Sequence, residues 1–245
     1  MPQAQLFLTC LGDQFYTSTL QNMTRILERL GVEVIFPTEQ TCCGQPLFNS
    51  GFEEKTRPVA LNFLRAFGRS DTPLVAPSGS CVSMVRHHYA SLFQEGTSEH
   101  ALASDIASRT YEFTEYLVNV LHVTDVGAAY PHRVTYHATC HYLREMGLRK
   151  EAKLLLNSVQ GLEFVPLAEE ETCCGFGGSF SVTFPEVSRA ITENKVNDIM
   201  ATGADTVVMC EPGCLMNVAG GLRKAGSKIR AMHIIDLLAS QEDSR

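Results

Sequence analysis

Nine cysteines in 245 residues are written as one pattern twice. The first copy reads Cys10, then Cys42-Cys43-Gly44, then Cys81; the second reads Cys140, then Cys173-Cys174-Gly175, then Cys210 and Cys214. Equivalent positions stand 130, 131, 131 and 133 residues apart. Cysteines scattered through a core as small hydrophobes would not hold that register. Two sulfur-lined sites on a duplicated scaffold would.

A chain of this length accommodates two domains, and the duplication favours them. The segments expected are a first cysteine-rich domain over 1–99, a helical connector over 100–130 and a second domain over 131–245. A net charge of −7 with no lysine/arginine run argues against a phosphate-backbone partner, so no nucleic acid is expected. No apolar stretch approaches the roughly 18 residues of a transmembrane segment. The start, MPQAQLFLTC, lacks the basic and long apolar regions of a secretory signal. A cytoplasmic location is expected from these features. Disulfides are rare there, and an odd cysteine count leaves one thiol over in any all-disulfide scheme. Repeated cysteine spacing in that setting points to metal or redox chemistry.

Strand-like runs alternate with helical ones in each half. Residues 5–10 run into Cys10, and Leu20, Met23, Ile26, Leu27 and Leu30 follow at helical spacing. Residues 32–36 precede the Cys42-Cys43 loop, a helix is expected over 52–68, and 73–77 lead to Cys81. The second half repeats the order, with 133–139 before Cys140 and a helical face at Leu148, Ala152, Leu155, Leu156 and Val159. Strand 162–167, a helix near 186–202 and strand 205–209 then lead to Cys173-Cys174 and Cys210. The C-terminal AMHIIDLLAS reads as a final helix. The fold class expected is α/β, with two pseudo-repeated β/α domains. Each has a small parallel sheet with cysteines at the carboxyl ends of its strands. Those ends share one edge, where ligand sites form, so cysteines 30 to 40 residues apart can meet.

Iron–sulfur clusters take sets of cysteine thiolates, usually four. Adjacent cysteines in a regular strand would face opposite ways. In a loop with Gly44 or Gly175 next, both sulfurs can turn to one centre. Structural zinc prefers pairs two to four residues apart, a spacing met by Cys210 and Cys214 but not by the vicinal pairs. CCGFGGSF does not match the dinucleotide fingerprint and follows the second strand of its repeat, so a phosphate loop is not expected. His137 and His141 flank Cys140, as donors to cluster sulfur, proton carriers, substrate-facing groups or plain strand-end polar residues. Arg144 reads either as an anion partner or as helix surface, and His87-His88 as helix surface.

The two arrays together resemble the cysteine-rich CCG domain, found twice in heterodisulfide reductase B subunits and in the glycolate oxidase iron–sulfur subunit. With little sequence outside the repeats, the chain is similar to the lactate utilisation protein A family. That resemblance implies oxidation of L-lactate to pyruvate with partner iron–sulfur and oxidoreductase subunits. It also implies iron–sulfur clusters of [4Fe-4S] type, held by five cysteines in the heterodisulfide reductase relatives. Carried across, the second repeat offers Cys140, Cys173, Cys174, Cys210 and Cys214. The first offers Cys10, Cys42, Cys43 and Cys81, with Pro77 where the second has Cys210, which leaves it open to an ordinary four-cysteine cluster, a cluster with a labile iron open to substrate, or none. Two other readings stay open at this level: a thiol–disulfide redox enzyme and a structural zinc scaffold.

Overall fold

A computed structural model of the chain describes residues 1–241. It divides into two compact units, Met1–Tyr116 and Leu117–Arg245. The first unit holds a parallel sheet of β1 (Gln3–Leu6), β2 (Glu33–Ile35), β3 (Leu74–Ala76) and β4 (Thr110–Glu112) in the order β2-β1-β3-β4. The second holds β5 (Arg133–Tyr136), β6 (Glu163–Phe164), β7 (Thr206–Met209) and β8 (Arg230–His233) in the order β6-β5-β7-β8, again all parallel. The α/β class with pseudo-repeated parallel sheets is therefore as expected. Parallel order forces each crossover through a helix and brings all strand ends of one unit to one edge.

The helices follow from apolar spacing. In Thr17–Arg29 the buried residues Leu20, Met23, Ile26 and Leu27 form one stripe. In Glu53–Phe67 the stripe is Thr56, Ala60, Phe63, Leu64 and Phe67. Together these burials make the first core, where Phe7, Phe63, Phe67 and Tyr89 meet with ring centroids 4.5 to 5.7 Å apart. Such aromatic pairs add roughly 0.5–1.5 kcal/mol each beyond their burial. The core also reaches the cysteines: the Tyr89 hydroxyl donates to the Cys43 carbonyl at 2.9 Å.

Each sheet has a fourth strand that the sequence reading did not separate from helix. Residues 231–233, expected within a final helix, belong to β8, which is in register with β7, Thr206 opposite Arg230 through Met209 opposite His233. Helix resumes only at Ile234–Leu238, where His233 Nδ1 accepts from the Ile235 amide at 3.2 Å. A short apolar run does not distinguish the two periods, and here an unfilled sheet edge decides. Within the stretch expected as a helical connector, the helix Ser98–Ser108 is followed by β4, in register with β3.

Glu112 ends β4 as His233 ends β8, and it caps the turn Phe113–Glu115 by accepting from Thr114 N at 2.7 Å and Glu115 N at 3.3 Å. Its other oxygen is buried without a partner, and burial pushes the carboxyl from 4.5 up to about 8. The folded chain therefore holds a proton that the unfolded chain releases. Stability is full below pH 4.5 and falls as pH rises to about 8, by at most about 1.4 kcal/mol per pH unit. Glu112→Gln is expected to remove that slope. Thermal melts at pH 5 and pH 8.5 should show wild type and variant diverging as pH rises.

Candidate metal centres

Each repeat turns its first cysteine out of a strand end. β1 finishes at Leu6, and Thr9 then adopts φ 64° while its hydroxyl accepts from Gly12 N at 3.3 Å, so that Cys10 opens the helix Cys10–Phe15. Gln40 fixes the incoming CCG loop against this end, accepting from Leu8 N at 2.9 Å and donating to Leu6 O at 3.0 Å. In the second repeat His137 has a related part, its Nδ1 lying 3.2 Å from the Glu170 carbonyl.

The glycine after each vicinal pair has a conformation that side chains rarely adopt, with φ 82° at Gly44 and 87° at Gly175. That turn aims each glycine N–H back at a sulfur, 3.4 Å to Cys42 Sγ and 3.3 Å to Cys173 Sγ. The closing cysteines ride the first turn of a helix. Ser78 caps Gly79–Ser83, which carries Cys81, and Glu211 caps Pro212–Lys224, which carries Cys214. Pro77 and Cys210 each stand one residue before the cap, so they occupy equivalent places.

These placements bring four sulfurs together in each repeat. Cys10 Sγ lies 3.6 Å from Cys42 Sγ, and Cys43 Sγ lies 3.4 Å from Cys81 Sγ. Cys174 Sγ lies 2.9 Å from Cys214 Sγ, and Cys140 interacts with Cys173 as Cys10 does with Cys42. Hydrogen bonding from the Cys10 thiol, then from Cys43, holds Cys42 down to about 3. The Cys140 thiol, then Cys174, holds Cys173 down to about 2. Their partners Cys10, Cys43, Cys140 and Cys174 move up, because each supplies the hydrogen that stabilises a neighbouring thiolate. Convergent thiols with one thiolate already favoured are the donor set a thiophilic metal needs.

Cys210 is placed differently. It is fully buried, and its sulfur lies 3.8 Å from the Tyr136 hydroxyl. The group of possible ligands within 4.8 Å of one another joins Cys174, Cys214 and His137; Cys140, Cys173 and Cys210 are not part of that tight group. Of the other polar candidates, His141 Nδ1 is 3.7 Å from Cys140 Sγ, while Arg144 donates to the Glu171 carbonyl at 3.1 Å. His87 is exposed, and His88 lies against Phe48.

Several site residues escaped the sequence reading. Asn217 donates to the Cys174 carbonyl and to Thr192 Oγ1, both at 2.8 Å, and Thr192 in turn donates to the Cys174 carbonyl at 3.1 Å. Lys195 has a wholly buried side chain that donates to the Glu169 carbonyl and faces Asp198 at 3.7 Å. Burial lowers its pKa. A lysine inside the buried stripe of the helix Pro185–Ala201 was the available signal for it.

Comparison with known proteins agrees with this geometry. The cysteine-rich domain family matches residues 4–86 and again 134–219, spans that between them contain all nine cysteines. Curated relatives named lactate utilization protein A align along nearly the whole chain. The Exiguobacterium protein is 46% identical over 97% of this chain and 97% of its own length. The Shouchella clausii protein is 44% identical over 97% and 98%, and the Halalkalibacterium halodurans protein 41% identical over 99% of each. The chain belongs to the lactate utilization protein A family. Membership accounts for the doubled domain, and the four-sulfur convergence gives that duplication a chemical meaning.

Proposed function

We propose that this chain is an iron–sulfur electron-transfer subunit of a system that oxidises L-lactate to pyruvate. The observation that carries the reading is the convergence of four thiols in each repeat, at the carboxyl edge of each sheet. The relatives' name, lactate utilization protein A, supports the substrate class. The residues present fit a cluster: a favoured thiolate in each set, glycine N–H groups aimed at sulfur, and two buried polar atoms without partners near Cys140, His137 Nε2 and Thr139 Oγ1.

Cys10, Cys42, Cys43 and Cys81 would hold one [4Fe-4S] cluster, and Cys140, Cys173, Cys174 and Cys214 another, with Cys210 buried at the same strand end. A bound cluster supplies one-electron transfer, tuned by hydrogen bonds to sulfur. The chain's part is to hold the thiolates, to direct Gly44 and Gly175 N–H at them, and to bury Cys43, Cys81, Cys174 and Cys214 from water. Oxidising lactate to pyruvate releases two electrons and two protons. Two one-electron sites suit that count, with the substrate chemistry on partner oxidoreductase subunits. Among the described residues no helix is long and apolar enough to cross a membrane, which accords with action in the cytoplasm.

Anaerobically purified protein mixed with its partner subunits and L-lactate is expected to show cluster reduction in its visible spectrum. A thiol added without lactate should leave the oxidised spectrum unchanged. Reduction by neither, together with a spectral change on thiol addition, would favour a thiol–disulfide reaction instead.

A further inference from the structure

The second repeat contains a buried imidazole that the protein satisfies on one side only. His137 lies one residue beyond β5 and is 1% exposed. Its Nδ1 sits 3.2 Å from the Glu170 carbonyl oxygen. A carbonyl only accepts, so Nδ1 carries the hydrogen, and the neutral ring has its lone pair at Nε2. That Nε2 is buried and has no hydrogen-bond partner. A ring nitrogen of His137 and the sulfurs of Cys174 and Cys214 lie within 4.8 Å of one another.

An acceptor left unpaired in a core costs about 1–3 kcal/mol, and the ring that carries this one has a nitrogen in a close group with two thiol sulfurs. A metal ion answers both conditions. Histidines that ligate metals characteristically donate their other ring N–H to a carbonyl or carboxylate, which fixes the tautomer and the aim of the ring. His137 and Glu170 have that arrangement.

The first repeat has no equivalent. The residue 130 positions before His137 is Phe7, whose ring packs edge-on against Phe63 at 4.9 Å and Phe67 at 5.7 Å. The neighbouring differences run the same way. Tyr136 and Cys210, in contact in the second repeat, are replaced by Leu6 and Pro77 in the first.

We propose that His137 Nε2 is an iron ligand in the second repeat, the donor beyond its four convergent cysteines. The second centre is then a mixed imidazole–thiolate site, whereas the first is all thiolate. The inference rests on the reading that the second repeat holds an iron–sulfur cluster. Neutral imidazole brings less negative charge than thiolate, and replacing cysteine by histidine raises the potential of iron–sulfur centres. The two repeats are thus unequal in their donor sets.

Pulsed electron paramagnetic resonance of the anaerobic, reduced full-length chain tests this, with and without 15N-histidine labelling. A strong nitrogen coupling that changes with the label is expected in the wild type and is lost in His137→Phe, the residue of the first repeat. His137→Cys guards against misfolding, since its thiolate can replace the imidazole. It is expected to keep wild-type iron and sulfide, to lose the coupling and to shift the reduction potential negative. Iron-loaded wild type with only weak histidine coupling, or coupling that survives in His137→Cys, overturns the proposal while leaving the cluster reading intact. Protein that binds no iron at all overturns the cluster reading and this inference with it.

Discussion

Replacing Cys214 with serine is expected to remove about half of the iron bound per chain and to lower lactate-dependent turnover by more than about 100-fold. Cys214 is buried, and its sulfur lies 2.9 Å from Cys174 Sγ, inside the group that also contains His137. Serine cannot supply a thiolate there, and burial keeps solvent from substituting for it. Changes to residues that merely support a metal ligand cost 10–100-fold, so loss of a ligand should exceed that range. Cys81→Ser makes the matching change in the first repeat, where Cys81 Sγ lies 3.4 Å from Cys43 Sγ. Iron analysis of the two variants should show each losing about half, with the remaining half unlike in spectrum. Loss of all iron in both would mean that the sites do not load independently.

Gly175→Ala is expected to destabilise the second unit by about 3 kcal/mol or more, and to loosen its site. Two effects combine at this position. The backbone stands at φ 87°, which an alanine rarely adopts, and an added Cβ would lie 2.6 Å from both the Ser188 carbonyl oxygen and Thr192 Oγ1. Neither neighbour can yield cheaply. The Ser188 oxygen is backbone within a helix, and Thr192 with Asn217 holds the Cys174 carbonyl. Gly44→Ala provides the comparison. Its φ is 82°, but the nearest contact is a Thr56 methyl at 3.0 Å, so the penalty should be nearer about 1–2 kcal/mol. Thermal unfolding of the two variants should differ in that order, and equal shifts would show that the packing around Gly175 relaxes freely.

Much of this was legible in the amino-acid order, for reasons that particular residues make clear. A cysteine after each strand and a CCG triplet after the next force a repeat, and parallel strands force the convergence. The pairing of Pro77 with Cys210 was likewise readable, because each stands four residues before the closing cysteine of its repeat. What sequence spacing does not encode is the direction of a side chain at a strand end. Cys210 read as one more ligand, and the fold adds that it is buried with its sulfur 3.8 Å from the Tyr136 hydroxyl. His137 read as one of several polar options, and only the fold shows its Nδ1 occupied and its Nε2 bare. The strands Thr110–Glu112 and Arg230–His233 were hidden for a different reason: three or four residues carry too few turns of either period to separate strand from helix.

The claim on which the rest depends is that both sulfur sets hold clusters. Iron and acid-labile sulfide measured on anaerobically purified, full-length protein test it most directly. The expected result is about eight iron and about eight sulfide per chain, the content of two [4Fe-4S] clusters. Zinc in place of iron with no labile sulfide, or a chain free of metal, would contradict it.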